Sequence, residues 1–222
     1  MERFIKETGK IEVRKENMMF VLSKLLSIVL HPLWMPFYAI GLVFRYTYLS
    51  YAGISFKFQL MTVVLAFTVV IPLILILVMR MMKTISSFSL RERKDRPTLY
   101  WFVSLCYVAM IMVMYKINTP RWIIFLMGGA TVALLVTMLV TLRWKISAHA
   151  TGMGGLIGGT MIVMRLYQLL PSYELMLLIV LAGMLGSARL YLKAHTPAQV
   201  YAGFLNGFVC VYFSLIIDKI TL

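Results

Sequence analysis

Long apolar runs alternate with short polar breaks along most of the chain, and the breaks carry most of the charge. Runs of this length predict helices that cross a bilayer, because a hydrocarbon core about 30 Å thick takes roughly 20 apolar residues of helix. Membrane strands would instead show short segments of alternating polarity. Spans are expected over about 33–50, 58–82, 98–115 and 121–142, then from the 143–149 segment to about 170, and over about 173–190 and 197–217. Residues 18–30 are apolar but broken by Ser23, Lys24 and Ser27 and stopped by His31-Pro32. Thirteen residues of helix rise only about 20 Å, so this stretch is read as an interfacial helix. Asn118-Thr119-Pro120 and Pro171-Ser172 are turn signals. The expected fold is an all-α polytopic membrane bundle of six to seven transmembrane helices. A charged N-terminal segment with its interfacial helix (1–31) precedes a membrane domain (32–222).

Composition agrees with the pattern: 61% of the 222 residues are hydrophobic, far above ordinary soluble usage. The first apolar run is not followed by a small-residue cleavage site, so it is expected to be retained. Cys106 and Cys210 both fall inside apolar runs, where cysteine packs as a small hydrophobe. The net charge of +14 raises the question of nucleic acid. Its lysines and arginines lie mainly at the ends of apolar runs, however, which fits lipid headgroups and phosphate rather than a nucleic-acid face. The implied surroundings are the lipid bilayer of a cell membrane, in a bacterium the inner membrane.

Counting spans brings the polar clusters together. Two spans separate Arg96 from His149 and two more separate His149 from Arg189 and His195, so these residues emerge on one face, and His31 joins them. That face carries sixteen of the 22 lysines and arginines, which by the positive-inside rule makes it cytoplasmic. Arginine and histidine are costly at the edge of a hydrocarbon layer, so their clustering marks a functional site. Each cluster also opens a helix: Thr196-Pro197 reads as a cap followed by proline at the first helical position, Asp95 or Arg96 before Pro97 repeats it, and Ser147 is a further cap. Such termini, ringed by Arg96, Lys145 and Arg189, favour an anion such as phosphate. Two histidines then offer a nucleophile and a general acid and base, with arginines to neutralise the transition state. With eight acidic residues in the chain, a two-metal site is hard to assemble, and neither metal nor cofactor is expected. The glycines at 152, 154, 155, 158 and 159 and at 203 and 207 are expected to let two spans approach closely.

Arg189, five residues, then His195; Ile146-Ser147-Ala148-His149; and Arg96-Pro97 together resemble the three motifs of the type-2 phosphatidic acid phosphatase family, over roughly residues 90–210. The resemblance implies metal-independent hydrolysis of lipid phosphates such as polyprenyl phosphate or phosphatidic acid through a phosphohistidine. It implies His195 as nucleophile and His149 as acid and base. Arg96, Arg189 and the backbone after Ser147, at Ala148, would form the phosphate cradle, with Arg91, Arg93 or Lys94, or else Lys145, replacing the first-motif lysine, whose position is Ser89. Ala188 stands where the family has serine. Gln199 stands where it has the aspartate that orients the nucleophile, and Gln199 also fits a capping box begun at Thr196. Two other classes stay open: a non-catalytic lipid-phosphate binding or transport protein, and a lipid phosphotransferase.

Overall fold

A computed structural model describes residues 18–82, 96–170 and 172–220 of the chain. The described residues form an all-helical bundle. Residues 18–29 (α1) are helical and break at His31, and a single 3-10 turn, Pro32–Trp34, leads into α2 (Met35–Tyr46). Next come α3 (Ile54–Leu65) and α4 (Ile71–Met81), joined by a π turn at Ala66–Val70. Pro72, at the start of α4, has no N–H for the helical ladder, and a widened turn accommodates that loss. Then follow α5 (Arg96–Lys116), α6 (Arg121–Thr141), α7 (Ala148–Leu166), α8 (Tyr173–Tyr191) and α9 (Pro197–Ile220).

Among the described residues six stretches are long and apolar enough to cross a membrane: Met18–Tyr46, Ile54–Met81, Arg96–Lys116, Arg121–Thr141, Tyr173–Tyr191 and Pro197–Ile216. The chain is a multi-pass membrane protein. Its outer surface is correspondingly apolar, with Leu77, Met112, Leu139, Leu177, Val180 and Leu205 among the exposed side chains. Three features differ from the sequence expectation. Residues 18–30, expected as a separate interfacial helix, run with α2 as one apolar stretch, Met18–Tyr46, turned at His31. The first span leaves its helix at Tyr46, because Thr47 turns the chain with its side-chain oxygen accepting from Leu49 N–H. The fifth, α7, ends at Leu166 and falls outside the six. It is long enough, but its five glycines and His149 dilute its apolarity, and it is covered by protein rather than lipid: Met153, Leu156, Ile157, Ile162 and Val163 are all buried.

The most extensive packing in the bundle is between α7 and α9, and glycine is the reason. A Cβ at Gly154 would run into the Phe204 carbonyl, one at Gly207 into the Thr151 carbonyl, and one at Gly203 would lie 2.5 Å from the Ser147 carbonyl. Close backbone approach of this kind takes the place of the hydrophobic driving force that lipid-embedded helices lack. A buried polar knot pins the same region. Asn206 donates from Nδ2 to the Ala133 carbonyl at 2.9 Å and to Thr137 Oγ1 at 3.0 Å, and Thr137 Oγ1 lies 3.3 Å from Thr151 Oγ1. Helices α6, α7 and α9 are thereby held in register beneath the polar end of the bundle.

Candidate functional site

The Arg-x5-His spacing works through the end of α8. After Leu192 the chain passes through Lys193 with φ of 49°, the Lys193 N–H donates to the Leu190 carbonyl and the Ala194 N–H to the Arg189 carbonyl. This is a Schellman turn, in which a left-handed residue reverses the chain and satisfies the last carbonyls of the helix. It anchors on Arg189 itself, so the turn brings His195 back beside the arginine. Helix α9 then begins at Pro197, with the Val200 N–H donating to the Thr196 carbonyl.

At this point Gln199 does two things with one atom. Its Oε1 accepts from the Thr196 backbone N–H at 3.2 Å and faces His195 Nδ1 at 3.2 Å. A backbone N–H only donates, so the amide atom it meets is the oxygen, and the same oxygen requires Nδ1 of His195 to carry the proton. The lone pair of the neutral imidazole is therefore on Nε2. Burial pushes the His195 pKa down to about 4, the guanidinium groups of Arg96 and Arg189 push the same way, and the bond to Gln199 opposes them. His195 is neutral at pH 7.

His195, His149 and His31 all line one cavity of about 770 Å³. Its polar end also carries Lys24, Arg96, Tyr100, Lys145, Arg189 and Lys193, and no carboxylate lines it among the described residues. Five cations without a lining acid, in surroundings of low dielectric, make a site that favours an anion. Arg189 adds a specific vacancy for one: its Nη1 donates to Ser27 Oγ at 3.3 Å, while its Nε is buried with no hydrogen-bond partner among the described residues. A buried donor left unpaired costs about 1–3 kcal/mol, which a bound oxyanion would recover. Arg96 is itself buried in the first turn of α5, with Tyr100 one turn further along the same face.

His149 is held by α1. Its Nε2 lies 3.1 Å from the Ser27 carbonyl, which makes Nε2–H the donor, and its ring meets His31 edge-on with centroids 5.1 Å apart. His31 in turn accepts from Leu33 N–H at its Nδ1, capping the 3-10 turn. Ser27 thus touches both His149 and Arg189, through its carbonyl and its hydroxyl respectively. Spacing motifs gave no notice of it. The available signal was that Ser23 and Ser27 sit four apart in a helix whose one other polar residue is Lys24; both serines are buried in the fold.

Of the residues expected on sequence, Arg96, Lys145, Ala148, His149, Arg189 and His195 are brought together on the cavity wall. Ser147 and Gln199 stand behind it. Ser147 is fully buried, its Oγ accepts from Ala150 N–H at 3.4 Å as the cap of α7, and its own N–H donates to the Gln199 carbonyl at 3.2 Å. That backbone link ties the start of α7 to the start of α9, so Ser147 positions the wall rather than forming part of it. Arg93 lies outside the described residues, as do residues 1–17. Among the described residues no three His, Cys, Asp or Glu side chains are arranged to hold a metal ion.

No protein-family model, curated protein or solved structure matches this chain.

Proposed function

We propose that the chain is an integral membrane lipid-phosphate phosphatase, a divergent relative of the type-2 phosphatidic acid phosphatases, with His195 as nucleophile. The observation that carries this reading is the fixed tautomer of His195. Its Nδ1 is committed to Gln199, and its neutral Nε2 belongs to a cavity whose described lining holds Arg96, Lys145 and Arg189 and no carboxylate. In the first step Nε2 attacks phosphorus, the bond from phosphorus to the lipid oxygen breaks, and His149, made imidazolium by a proton taken up with the substrate monoanion, protonates the leaving alkoxide and becomes neutral. In the second step His149 takes a proton from water, the water oxygen attacks phosphorus, and inorganic phosphate leaves His195. Arg96 and Arg189 balance the charge on the non-bridging oxygens throughout. Before it acts, His149 exchanges its bond to the Ser27 carbonyl for the substrate oxygen.

The test is release of inorganic phosphate from a panel of lipid monophosphates presented in nanodiscs. His195→Ala abolishes release if the reading is right, and a His195→Ala protein as active as the unmodified chain would sink it. One observation favours a second reading, lipid-phosphate binding without turnover: His149 is tied to Ser27, and Gln199 carries no charge to stabilise an imidazolium. Saturable lipid-phosphate binding with no release from any member of the panel would support that reading instead.

A further inference from the structure

Beneath the cations the cavity changes character. Its walls become Ile76 of α4, Val103 and Tyr107 of α5, Met127, Ala130 and Leu134 of α6, Gly155 and Gly159 of α7 and Val211 of α9, all within the bundle. We infer that a bound lipid monophosphate threads one hydrocarbon chain down this shaft, into the protein rather than along its outer surface, and that Leu126 at the floor limits the chain's length. The inference rests on the lipid-phosphate site proposed above and adds which part of the lipid the protein measures.

Charge argues for the orientation. The cations and histidines occupy one end and the lower walls are apolar, so an anionic head with an aliphatic tail is the ligand whose polarity changes where the cavity's does. Depth argues for the length. Of the three helices that run downward from the polar end, α5 and α7 have their lowest lining residues at Tyr107, eleven residues below Arg96, and Gly159, eleven below Ala148, and Val211 of α9 lies level with Gly155 and Gly159. Eleven residues of helix rise about 16 Å. An extended chain of tetrahedral carbons advances about 1.25 Å per carbon, so the shaft takes roughly 12–14 carbons below the phosphate.

The floor is defined by contact. Leu126 is buried and would lie 3.3 Å from a Cβ placed on Gly159, so its side chain fills the space this glycine leaves open. On its far side is a second, much smaller void lined by Val43, Tyr46, Thr160 and Val163, which shares Ala39, Leu126 and Gly159 with the main cavity. Leu126, the largest of the three shared side chains, is therefore the main partition between the two. Ala130 stands one turn nearer the cations, about 6 Å higher, where a small side chain keeps the shaft open.

The experiment uses the full chain in nanodiscs and n-alkyl monophosphates of 8 to 18 carbons at equal mole fraction. Bound lipid is read by native mass spectrometry, and phosphate release is measured in the same samples. Because a tail moves from one apolar medium to another, retention should vary little up to about 12–14 carbons and then fall tenfold or more, since a longer tail must buckle or lift its head from the cations. Ala130→Leu should move the break down by about four carbons and Leu126→Ala should move it up, opening the shaft toward the second void. The inference is overturned if retention shows no break across the series, or if a break stays put in folded Leu126→Ala protein. The unmodified series and Leu126→Ala decide the matter even where Ala130→Leu does not fold. A length break without phosphate release keeps this inference and removes the phosphatase reading, whereas release with no break does the reverse.

Discussion

Replacing Gln199 by Glu is the most informative single change, because it exchanges an amide oxygen for a carboxylate oxygen at unchanged side-chain length. Both existing bonds survive: the carboxylate still accepts from Thr196 N–H and from His195 Nδ1, each now 3.2 Å from the side-chain oxygen. The capping of α9 is therefore kept, and a negative charge at a helix N-terminus adds a favourable ~0.3–1 kcal/mol. What changes is His195. A unit charge about 4 Å away at an effective dielectric of about 20 is worth roughly 4 kcal/mol, enough to raise the imidazole from about 4 by as much as ~3 pH units. Arg96 and Arg189 attract the same carboxylate, so this is an upper bound. Ring NMR of His195 against pH measures the midpoint directly. Phosphate release should rise at least tenfold, because in a serine-protease triad the opposite exchange, carboxylate to amide, lowers turnover about 10⁴-fold. If His195 in Gln199→Glu titrates where it does in the unmodified chain, the deduced Nδ1–Oε1 bond is wrong and the reasoning about the nucleophile fails with it.

Other outcomes follow from the same geometry. An imidazole whose pKa is about 4 when folded and near 6.5 when unfolded leaves the unfolded chain binding more protons between those values, so this residue makes stability rise with pH across that window. Thermal melts should therefore show a loss of stability as pH falls from about 6.5 toward 4, with a shallower slope in His195→Asn. Gly207→Ala places a methyl against the Thr151 carbonyl and should destabilise the bundle by about 1–3 kcal/mol or more, whereas Gly183→Ala, with nothing within 4 Å of the added atom, should be neutral. The two variants compared by denaturation in detergent check this, and equal stabilities would refute the glycine account of α7–α9 packing. Asn206→Leu removes the bonds to Ala133 and Thr137 and should cost about 0.6–1.7 kcal/mol in the same assay.

How much of this was legible in the sequence depended on the distance between partners along the chain. Hydropathy marked the membrane helices because lipid contact is a property of each run by itself. It ranked α7 among the spans without showing that α7 is the helix the others enclose, since being surrounded by protein is a relation between runs. The same division holds in the site. Arg189 and His195 could be paired by spacing because one local turn, closed on the Arg189 carbonyl, sets their relation. Arg96, His149 and His195 could be assigned to one end by counting crossings. Ser27 could not be read, since its two partners lie 122 and 162 positions away and only packing of α1 brings them near.

Gln199 shows why a correct local reading was still incomplete. Its sequence context supported two roles, a cap for α9 and a partner for His195, which seemed to compete for one side chain. They do not compete, because the Thr196 N–H and the imidazole approach the same oxygen. The cap is what fixes the partner: a donor that cannot reverse its direction dictates which amide atom faces inward, and that atom dictates the tautomer of His195. A residue chosen to begin a helix thereby sets the side of the imidazole from which chemistry proceeds, and Gln199→Ala should lose both functions together.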